Sequence, residues 1–222
     1  MKFYQFLLDE IDGNRPFGLI RYGDGELGCV AQLKKGRGGK NHDGDPYLPY
    51  LCEYLKNMIL NPTRADNFYY CLNGEYANCG VRTDLQKKKS WNNDIRWQDA
   101  YVFIEALLHN RLDEFISRLN TNHSVLVGAK YMHKVDIDFD EKIEISGIAA
   151  FGESGRVIKE LDAILSEKTN SIVVFTAGMS ANVFVNEAFK KWGNQHTFID
   201  LGSVLDSMVE SRIHRSYFNQ LN

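Results

Sequence analysis

The sequence predicts an α/β domain with a mainly parallel β-sheet and helices on both faces of that sheet. Short apolar segments of five or six residues alternate with segments of helical periodicity along the whole chain. This alternation favours parallel strands, because parallel neighbours need crossover connections that are usually helical. The chain has 222 residues, 44% of them hydrophobic, which is enough for one sizeable core.

The first half of the chain alternates between the two kinds of segment. Phe3, Phe6, Leu7 and Ile11 recur at helical spacing, and Gly13 ends this predicted helix. The bounded apolar segments at 17–22 and 68–72 predict buried strands. The other elements predicted here are helices at 27–33, 48–58, 95–108 and 112–119.

The second half alternates more regularly. Strands are predicted at 124–128, 142–146, 171–176 and 196–200, with helices at 154–166 and 181–192 and a turn-rich segment at 204–209. No linker, internal repeat or low-complexity stretch divides the chain. We therefore predict a single Rossmann-like domain spanning 1–222, in which 30–120 form a helical elaboration.

Composition excludes several classes of protein. The net charge is −3, and the basic run Lys87–Lys89 is short, so a nucleic-acid partner is not expected. No stretch of about 18 apolar residues predicts a transmembrane helix. The N-terminal residues lack the apolar core of a signal peptide, which makes the cytoplasm the expected location.

Cysteine usage agrees with that location. The four cysteines, Cys29, Cys52, Cys71 and Cys79, form no C-x-x-C pair, and no partner residues follow at zinc spacing. We expect them to be free, mostly buried thiols in a reducing compartment.

Two acids follow the first predicted strand directly. Asp24 and Glu26 flank Gly25, at the point where parallel α/β sheets bind ligands. Carboxylate oxygens suit Mg²⁺ or Mn²⁺, and Arg21 suits phosphate oxygens. The pattern predicts a tight loop that holds a metal and a phosphorylated substrate, and the alternative is a solvated turn.

A second acid-x-acid pattern competes with the first. Asp43 and Asp45 lie in the glycine-rich segment 34–45, which no predicted strand precedes. We interpret this segment as a flexible loop rather than a metal site, with closure over a bound ligand as the functional alternative.

Two later strands also end in candidate ligand-binding turns. Gly178 and Ser180 lie between the strand 171–176 and the start of a helix, where backbone amides can hold an anion. Asp200, Gly202 and Ser203 follow the last strand.

Three motifs together resemble the D-type fold glycosyltransferases, a family first catalogued as a domain of unknown function. They are Arg21-Tyr-Gly-Asp-Gly-Glu26, Ala177-Gly-Met-Ser-Ala181 and Ile199-Asp-Leu-Gly-Ser203. The resemblance implies that Asp24 and Glu26 bind Mn²⁺ or Mg²⁺ and, through it, the diphosphate of a nucleotide sugar. Ser203 stands where members of that family often have histidine. The resemblance is weak over 30–120, where it implies that the acceptor binds.

The activity implied by the resemblance is metal-dependent transfer of a sugar from a nucleoside-diphosphate sugar, with a UDP-sugar as the expected donor. The acceptor would be a hydroxyl of a glycan, a glycoprotein or a small molecule. Asp200 is expected to bind ribose hydroxyls or to act as the catalytic base. The residues expected to hold the nucleotide are Arg21, Gly178, Ser180, Gly202 and Ser203.

Alternatives remain open at the level of single residues and of function. Glu75 and Glu153 are further base candidates or plain surface carboxylates, and the tail residues Arg212, Arg215 and Tyr217 either fold over the nucleotide or have no ligand role. A metal-dependent phosphoesterase or nucleotidase would use the same acids. A non-catalytic module that binds nucleotide sugars is the third possibility.

Overall fold

A seven-stranded sheet forms the centre of the computed structural model, which describes residues 1–32, 39–41, 43–73 and 92–209. The strands are β1 (Gly18–Tyr22), β2 (Phe68–Leu72), β3 (Gln98–Asp99), β4 (Ser124–Ala129), β5 (Glu141–Ile145), β6 (Ile172–Thr176) and β7 (Thr197–Asp200). Their order is β3-β2-β1-β7-β6-β4-β5, and every neighbouring pair is parallel. The carboxyl ends of all seven strands therefore lie along one edge.

Helices cover both faces of this sheet. They are α1 (Lys2–Asp12), α2 (Asp24–Gln32), α3 (Pro49–Leu60), α4 (Val102–Leu108), α5 (Leu112–Thr121), α6 (Ser154–Leu165) and α7 (Ser180–Trp192), with short 3₁₀ turns at Lys130–Lys134, Ala150–Glu153 and Val204–Met208. Side chains of α2, α3, α6 and α7 pack in one apolar cluster, and those of α1, α4 and α5 pack in the other. The predicted α/β class with a parallel sheet and two covered faces is confirmed.

Burial explains why the central strands read as continuous apolar runs. Every residue of β4, β6 and β7 is buried, as expected for strands covered on both faces. In β1 only Arg21 is partly exposed, near the carboxyl end of the strand. The charged residue of β1, Arg21, therefore lies at the edge of the sheet where the strands end.

The acidic pair differs from the predicted loop. Helix α2 begins at Asp24, directly after β1, so Asp24 and Glu26 belong to its first turn. The Glu26 carboxylate accepts a hydrogen bond from the backbone N–H of Gly23 at 2.8 Å. Glutamate at this position caps a helix start, and this local contact lets the helix begin three residues earlier than predicted.

The predicted helix 95–108 is only half helical. Gln98 and Asp99 form β3, which pairs with Cys71 and Leu72 of β2, and α4 begins only at Val102. The Asp99 carboxylate accepts a hydrogen bond from the backbone N–H of Tyr101 at 2.8 Å. This local turn ends the strand and separates it from the helix.

The expectation of free thiols is wrong for two of the four cysteines. Cys29 of α2 and Cys52 of α3 form a disulfide, while Cys71 is free and buried. The contact of α2 with α3 brings the two cysteines together across 23 positions of sequence. Disulfides are uncommon in reducing compartments. Cysteine usage therefore does not support the expected cytoplasmic location.

The region 30–120 contributes strands as well as helices. It supplies β2 and β3 to the sheet, together with α3, α4 and most of α5. Its role as an acceptor-binding elaboration stays a prediction. No helix in the described ranges is long and apolar enough to cross a bilayer.

Candidate functional site

A cavity of about 670 Å³ runs along the edge where the strands end. Residues that follow each of the seven strands line it. From the β3 side to the centre these include Tyr101, Asn73, Asp24 and Gly202; from the centre to the β5 side they include Gly178, Tyr131 and Ile148. Ligands of open α/β sheets bind outside the carboxyl ends of the strands, so this cavity is the candidate site.

The first turn of α2 presents the acidic pair to this cavity. Asp24 is exposed, Glu26 is partly exposed, and both line the cavity wall. Residues two apart on a helix do not normally face each other. Here Glu26 folds back onto Gly23 to cap the helix, which keeps its carboxylate on the cavity side.

The surroundings of its carboxylate make Glu26 an unusual acid. Desolvation and the nearby charge of Asp200 raise its pKa to about 7, against the opposing effects of the Gly23 N–H and Arg21. The carboxyl group therefore gains and loses its proton near neutral pH. A cation bound here would compete with that proton.

Arg21 is held in place by Asp200 of β7 and by the backbone that follows β3. Its Nε lies 3.4 Å from a carboxylate oxygen of Asp200, and its Nη1 donates to the carbonyl of Ala100 at 3.3 Å. Asp200 is 2% exposed, and burial raises its pKa although Arg21 opposes the shift. Asp200 does not line the cavity, whereas Arg21 does. The guanidinium is thus oriented by a buried carboxylate outside the cavity wall, while Arg21 itself lines the cavity.

Gly202 makes room for that guanidinium. Its φ is +59°, and an added Cβ would lie 2.5 Å from Cζ of Arg21. The backbone N–H of Gly202 also donates to Asp200 at 2.9 Å. Both the left-handed backbone and the close approach require glycine. Ser203 follows it in the cavity wall.

Of the two ligand-binding residues predicted in the turn before α7, one lines the cavity and the other does not. Gly178, with φ of +53°, lines the cavity. Ser180 is the first residue of α7, is 0% exposed and lies outside the cavity wall. The structure therefore brings the Gly178 backbone to the cavity and not the side chain of Ser180.

The second acidic pattern is part of the same cavity. Lys40 and Pro46 form an isolated antiparallel β-bridge, and Asp43 and Asp45, which lie between them in sequence, both line the cavity. Asp45 is buried and accepts a hydrogen bond from the backbone N–H of Ala149 at 2.8 Å. The described part of the segment is thus held by a specific contact, in contrast to the flexible loop expected.

Several lining residues were missed by sequence reasoning. They are Asn41, Asn73, Tyr101, Ile104, Tyr131, Ser146, Ile148, Thr176 and Asp206. Most lie within a few residues of a predicted strand end, and that position was the available signal. The sequence places Tyr101 in the middle of a predicted helix, so the pattern did not place it after a strand.

Other predicted candidates lie elsewhere. Glu153 forms an ion pair with Arg156 and accepts from the backbone N–H of Ser146 at 2.8 Å; these hydrogen bonds lower its pKa, and it does not line the cavity. Glu75, Cys79 and the tail residues Arg212, Arg215 and Tyr217 lie outside the described residues.

The donor set at α2 fits a hard divalent cation. Asp24 and Glu26 supply carboxylate oxygens on the cavity wall. Within the described ranges, no three Asp, Glu, His or Cys side chains cluster as a metal cage. Mg²⁺ and similar cations are often held by one or two carboxylates, with water and substrate phosphates completing the shell. Two acids are therefore sufficient for such a site.

Comparisons with known proteins address the fold. No protein-family profile and no curated protein matches the chain. A solved glycosyltransferase of the DUF1792 type from Streptococcus sanguinis superposes with a TM-score of 0.66 at 14% identity, covering 91% of this chain and 80% of that one. The chain has the DUF1792 glycosyltransferase fold.

A further solved structure agrees. It represents the domain of unknown function 1792, which has been described as a distinct glycosyltransferase fold, and it matches with a TM-score of 0.64 at 16% identity over 91% of this chain and 77% of the other. The suspected resemblance is confirmed at the level of the DUF1792 fold. The identities are low, so the residue roles depend on the cavity itself.

Proposed function

We propose that this protein is a metal-dependent glycosyltransferase that moves a sugar from a nucleoside-diphosphate sugar, with UDP as the expected nucleotide, to an acceptor hydroxyl. The observation that carries the proposal is the meeting of Arg21, Asp24 and Glu26 on the wall of one cavity, in a chain with the DUF1792 glycosyltransferase fold. A guanidinium and two carboxylates beside the end of a strand suit a metal-bound diphosphate better than a neutral ligand.

Asp24 and Glu26 would hold Mn²⁺ or Mg²⁺ at the start of α2. A bound divalent cation supplies positive charge to the diphosphate leaving group, whose negative charge grows as the bond to the sugar breaks. Because Glu26 is also tied to Gly23, its position is fixed before any ligand arrives.

Arg21 would bind a phosphate oxygen. Its guanidinium is already oriented by Asp200, by the Ala100 carbonyl and by the close backbone of Gly202. Preorganised charge is more effective than a mobile side chain, because no ordering is needed when the leaving group becomes negative. The backbone at Gly178, just before α7, offers a further contact for phosphate or ribose.

The geometry favours a positioning role for Asp200. The carboxylate is buried behind Arg21 and does not line the cavity, so we assign it the orientation of Arg21 rather than direct removal of the acceptor proton. Asp43, Asp45 and Asp206 are the other carboxylates of the wall.

The experiment is a screen of UDP-, GDP-, CDP- and dTDP-sugars with Mn²⁺, followed by chromatography of the products. Transferase chemistry, or slow transfer to water, releases the nucleoside diphosphate. Asp24→Asn is expected to lose at least 100-fold of that activity. Asp138→Asn, at an exposed acid outside the cavity, is the matched control and should keep it.

Three results would contradict all or part of the proposal. Release of nucleoside monophosphate and sugar phosphate would indicate a phosphoesterase that uses the same acids. Binding of a nucleotide sugar without any turnover would indicate the non-catalytic module. Activity that is unaffected by EDTA and by Asp24→Asn would remove the metal from the scheme.

A further inference from the structure

The cavity extends past the ends of all seven strands, on both sides of its centre. Neighbouring strands of a sheet lie about 4.8 Å apart, so two spacings, about 10 Å, separate β1 from β3. Three spacings, about 14 Å, separate β7 from β5. Arg21 and the acids of α2 lie at the centre, beside β1 and β7. The cavity therefore has two ends, one on each side of the expected diphosphate.

We call these the β3 end, lined by Asn73, Tyr101 and Ile104, and the β5 end, lined by Tyr131, Ser146 and Ile148. In a nucleotide sugar the diphosphate lies between the nucleoside and the sugar. If the proposed function holds, each end therefore takes one of these groups. The acceptor must lie next to the sugar, because its hydroxyl attacks the anomeric carbon.

Charge distinguishes the two ends. At the β3 end Asn73, Tyr101 and Ile104 are uncharged, and the Asn73 amide donates to the Tyr101 hydroxyl at 2.8 Å. Among the described lining residues, the acid on this side is Asp206, whose 3₁₀ turn contacts α4. Toward the β5 end, Asp45 is fixed by the N–H of Ala149, and Asp43 also lines the wall. Transfer to a hydroxyl requires a group that accepts its proton, and carboxylates provide this on the β5 side.

The surface of the β5 end also suits a sugar ring. Ile148 is 55% exposed although it is a large aliphatic residue, and it lines the cavity with the half-buried Tyr131 and the polar Ser146. An apolar surface with a few polar groups at its border is typical of small-molecule sites. The C–H face of a saccharide fits such a surface, while its hydroxyls reach the polar border.

We propose that the β5 end binds the transferred sugar and the acceptor, that this acceptor is an uncharged saccharide, and that Ile148 is a specificity residue for it. The nucleoside then occupies the β3 end. The described lining of the β5 end contains acids and no basic side chain, which disfavours a phosphorylated acceptor. This inference depends on the proposed function and adds the direction in which the donor lies.

The first test measures nucleotide binding. UDP, GDP, CDP and dTDP are titrated in the presence of Mn²⁺, and the tightest ligand is then compared across variants by calorimetry. Ile148→Asn should leave its Kd within twofold of the wild-type value, whereas Tyr101→Ala should raise it at least tenfold. Tyr50→Asn, at an 82% exposed residue of α3 outside the cavity, is the matched control.

Folding is checked by thermal melting in each case. Ile148 is exposed, so its variant should have the melting temperature of the wild type. If Tyr101→Ala melts early, Tyr101→Phe replaces it, since it keeps the ring and removes only the hydroxyl that Asn73 contacts; a threefold rise in Kd is then expected. A tenfold loss of nucleotide affinity in Ile148→Asn, or no loss in the Tyr101 variant, would overturn the assignment of the ends.

The second test addresses the acceptor. Transfer to para-nitrophenyl glycosides is compared with transfer to sugar 6-phosphates, using the donor found in the screen. Uncharged acceptors should be preferred, and Ile148→Asn should raise their KM at least tenfold, while the Kd of the nucleotide stays within twofold of the wild-type value. Preference for phosphorylated sugars would overturn the acceptor class. Failure of every nucleotide to bind the wild type would instead overturn the proposed function.

Discussion

The guanidinium of Arg21 lies against the backbone of Gly202, in space that any other residue's Cβ would fill. This contact joins the end of β1 to the turn after its neighbour β7, the middle strand of the sheet. It also predicts how the site fails when the turn is changed.

Gly202→Ala is expected to lower both stability and donor affinity. The φ of +59° costs an alanine about 1–2 kcal/mol, and the new Cβ would displace Arg21. Urea denaturation and the donor KM give the two readouts. Gly155→Ala is the control, because a Cβ there meets nothing within 4 Å and alanine favours the helix. An unchanged donor KM in Gly202→Ala would show that the position of Arg21 does not matter.

Asp200→Asn separates the two roles considered for this residue. If Asp200 orients Arg21, the donor KM should rise about tenfold, while the pH profile of kcat keeps its shape. Arg21→Lys should show the same pattern, since lysine keeps the charge but not the fork-shaped geometry. A fall in kcat with donor KM unchanged, together with loss of the acidic limb of the pH profile, would make Asp200 the base.

Glu26 allows helix capping and metal binding to be tested separately. Glu26→Gln keeps an oxygen that accepts from Gly23, so the fold should be retained; Glu26→Ala loses the cap and should cost about 1 kcal/mol. Both variants should lose Mn²⁺ binding, measured by calorimetry. In the wild type, Mn²⁺ affinity should increase as pH rises through about 7, the pKa of Glu26.

Stability should also respond to this carboxyl group in a defined direction. The pKa of Glu26 is raised in the fold, so its contribution to the free energy of unfolding is present at acidic pH and is lost as pH rises through about 7. Glu26→Gln removes the ionisation and is expected to melt higher than the wild type at pH 8. A lower melting temperature at that pH would contradict this explanation.

His196 predicts acid sensitivity at the opposite edge of the sheet. It is fully buried, and its Nδ1 accepts a hydrogen bond from the N–H of Ser171 at 3.2 Å. Burial, together with the nearby His123, lowers its pKa, so folding favours the neutral imidazole. Its contribution to stability is present above about pH 6.5 and is lost as pH falls through the lower pKa of the folded state.

The measurement is the free energy of unfolding between pH 5 and 8. In His196→Asn the dependence should become shallower, because an amide oxygen can still accept from Ser171 and does not ionise. His109→Asn, at an exposed position, is the control and should follow the wild type. Equal slopes in His196→Asn and the wild type would assign the acid sensitivity to other groups.

The disulfide between Cys29 and Cys52 should stabilise the oxidised chain. Closing a loop of this length restricts the unfolded state by about 3 kcal/mol in the chain-entropy description. Adding a dithiol reductant should lower the urea midpoint of the wild type and leave that of Cys29→Ala/Cys52→Ala unchanged. Mass spectrometry of peptides from the oxidised chain should show the two cysteines linked. Absence of that linkage in air-oxidised protein would contradict the assignment.

The predicted features that the structure confirms depend on local patterns. The apolar segments that became β1, β4 and β6 are buried on both faces of the sheet, and burial makes a strand readable from sequence. The placement of Asp24 and Glu26 at a strand's carboxyl end followed from β1 alone.

The features that were missed depend on distant partners. β3 has two residues and exists because it pairs with β2, which no local pattern reveals. Asp45 reaches the cavity because it meets Ala149, 104 positions away. The pairing of Cys29 with Cys52 likewise follows from the packing of α2 on α3.

Every strand of the sheet contributes at least one residue to the same cavity wall through the segment that follows it. The scaffold and the recognition surface are therefore encoded in separate stretches of chain, and the strands can keep their packing while the segments at their tips change. Evolution could retarget such a protein to a new sugar by exchanging one tip, such as that around Ile148, with the arginine and the acids at the centre left untouched.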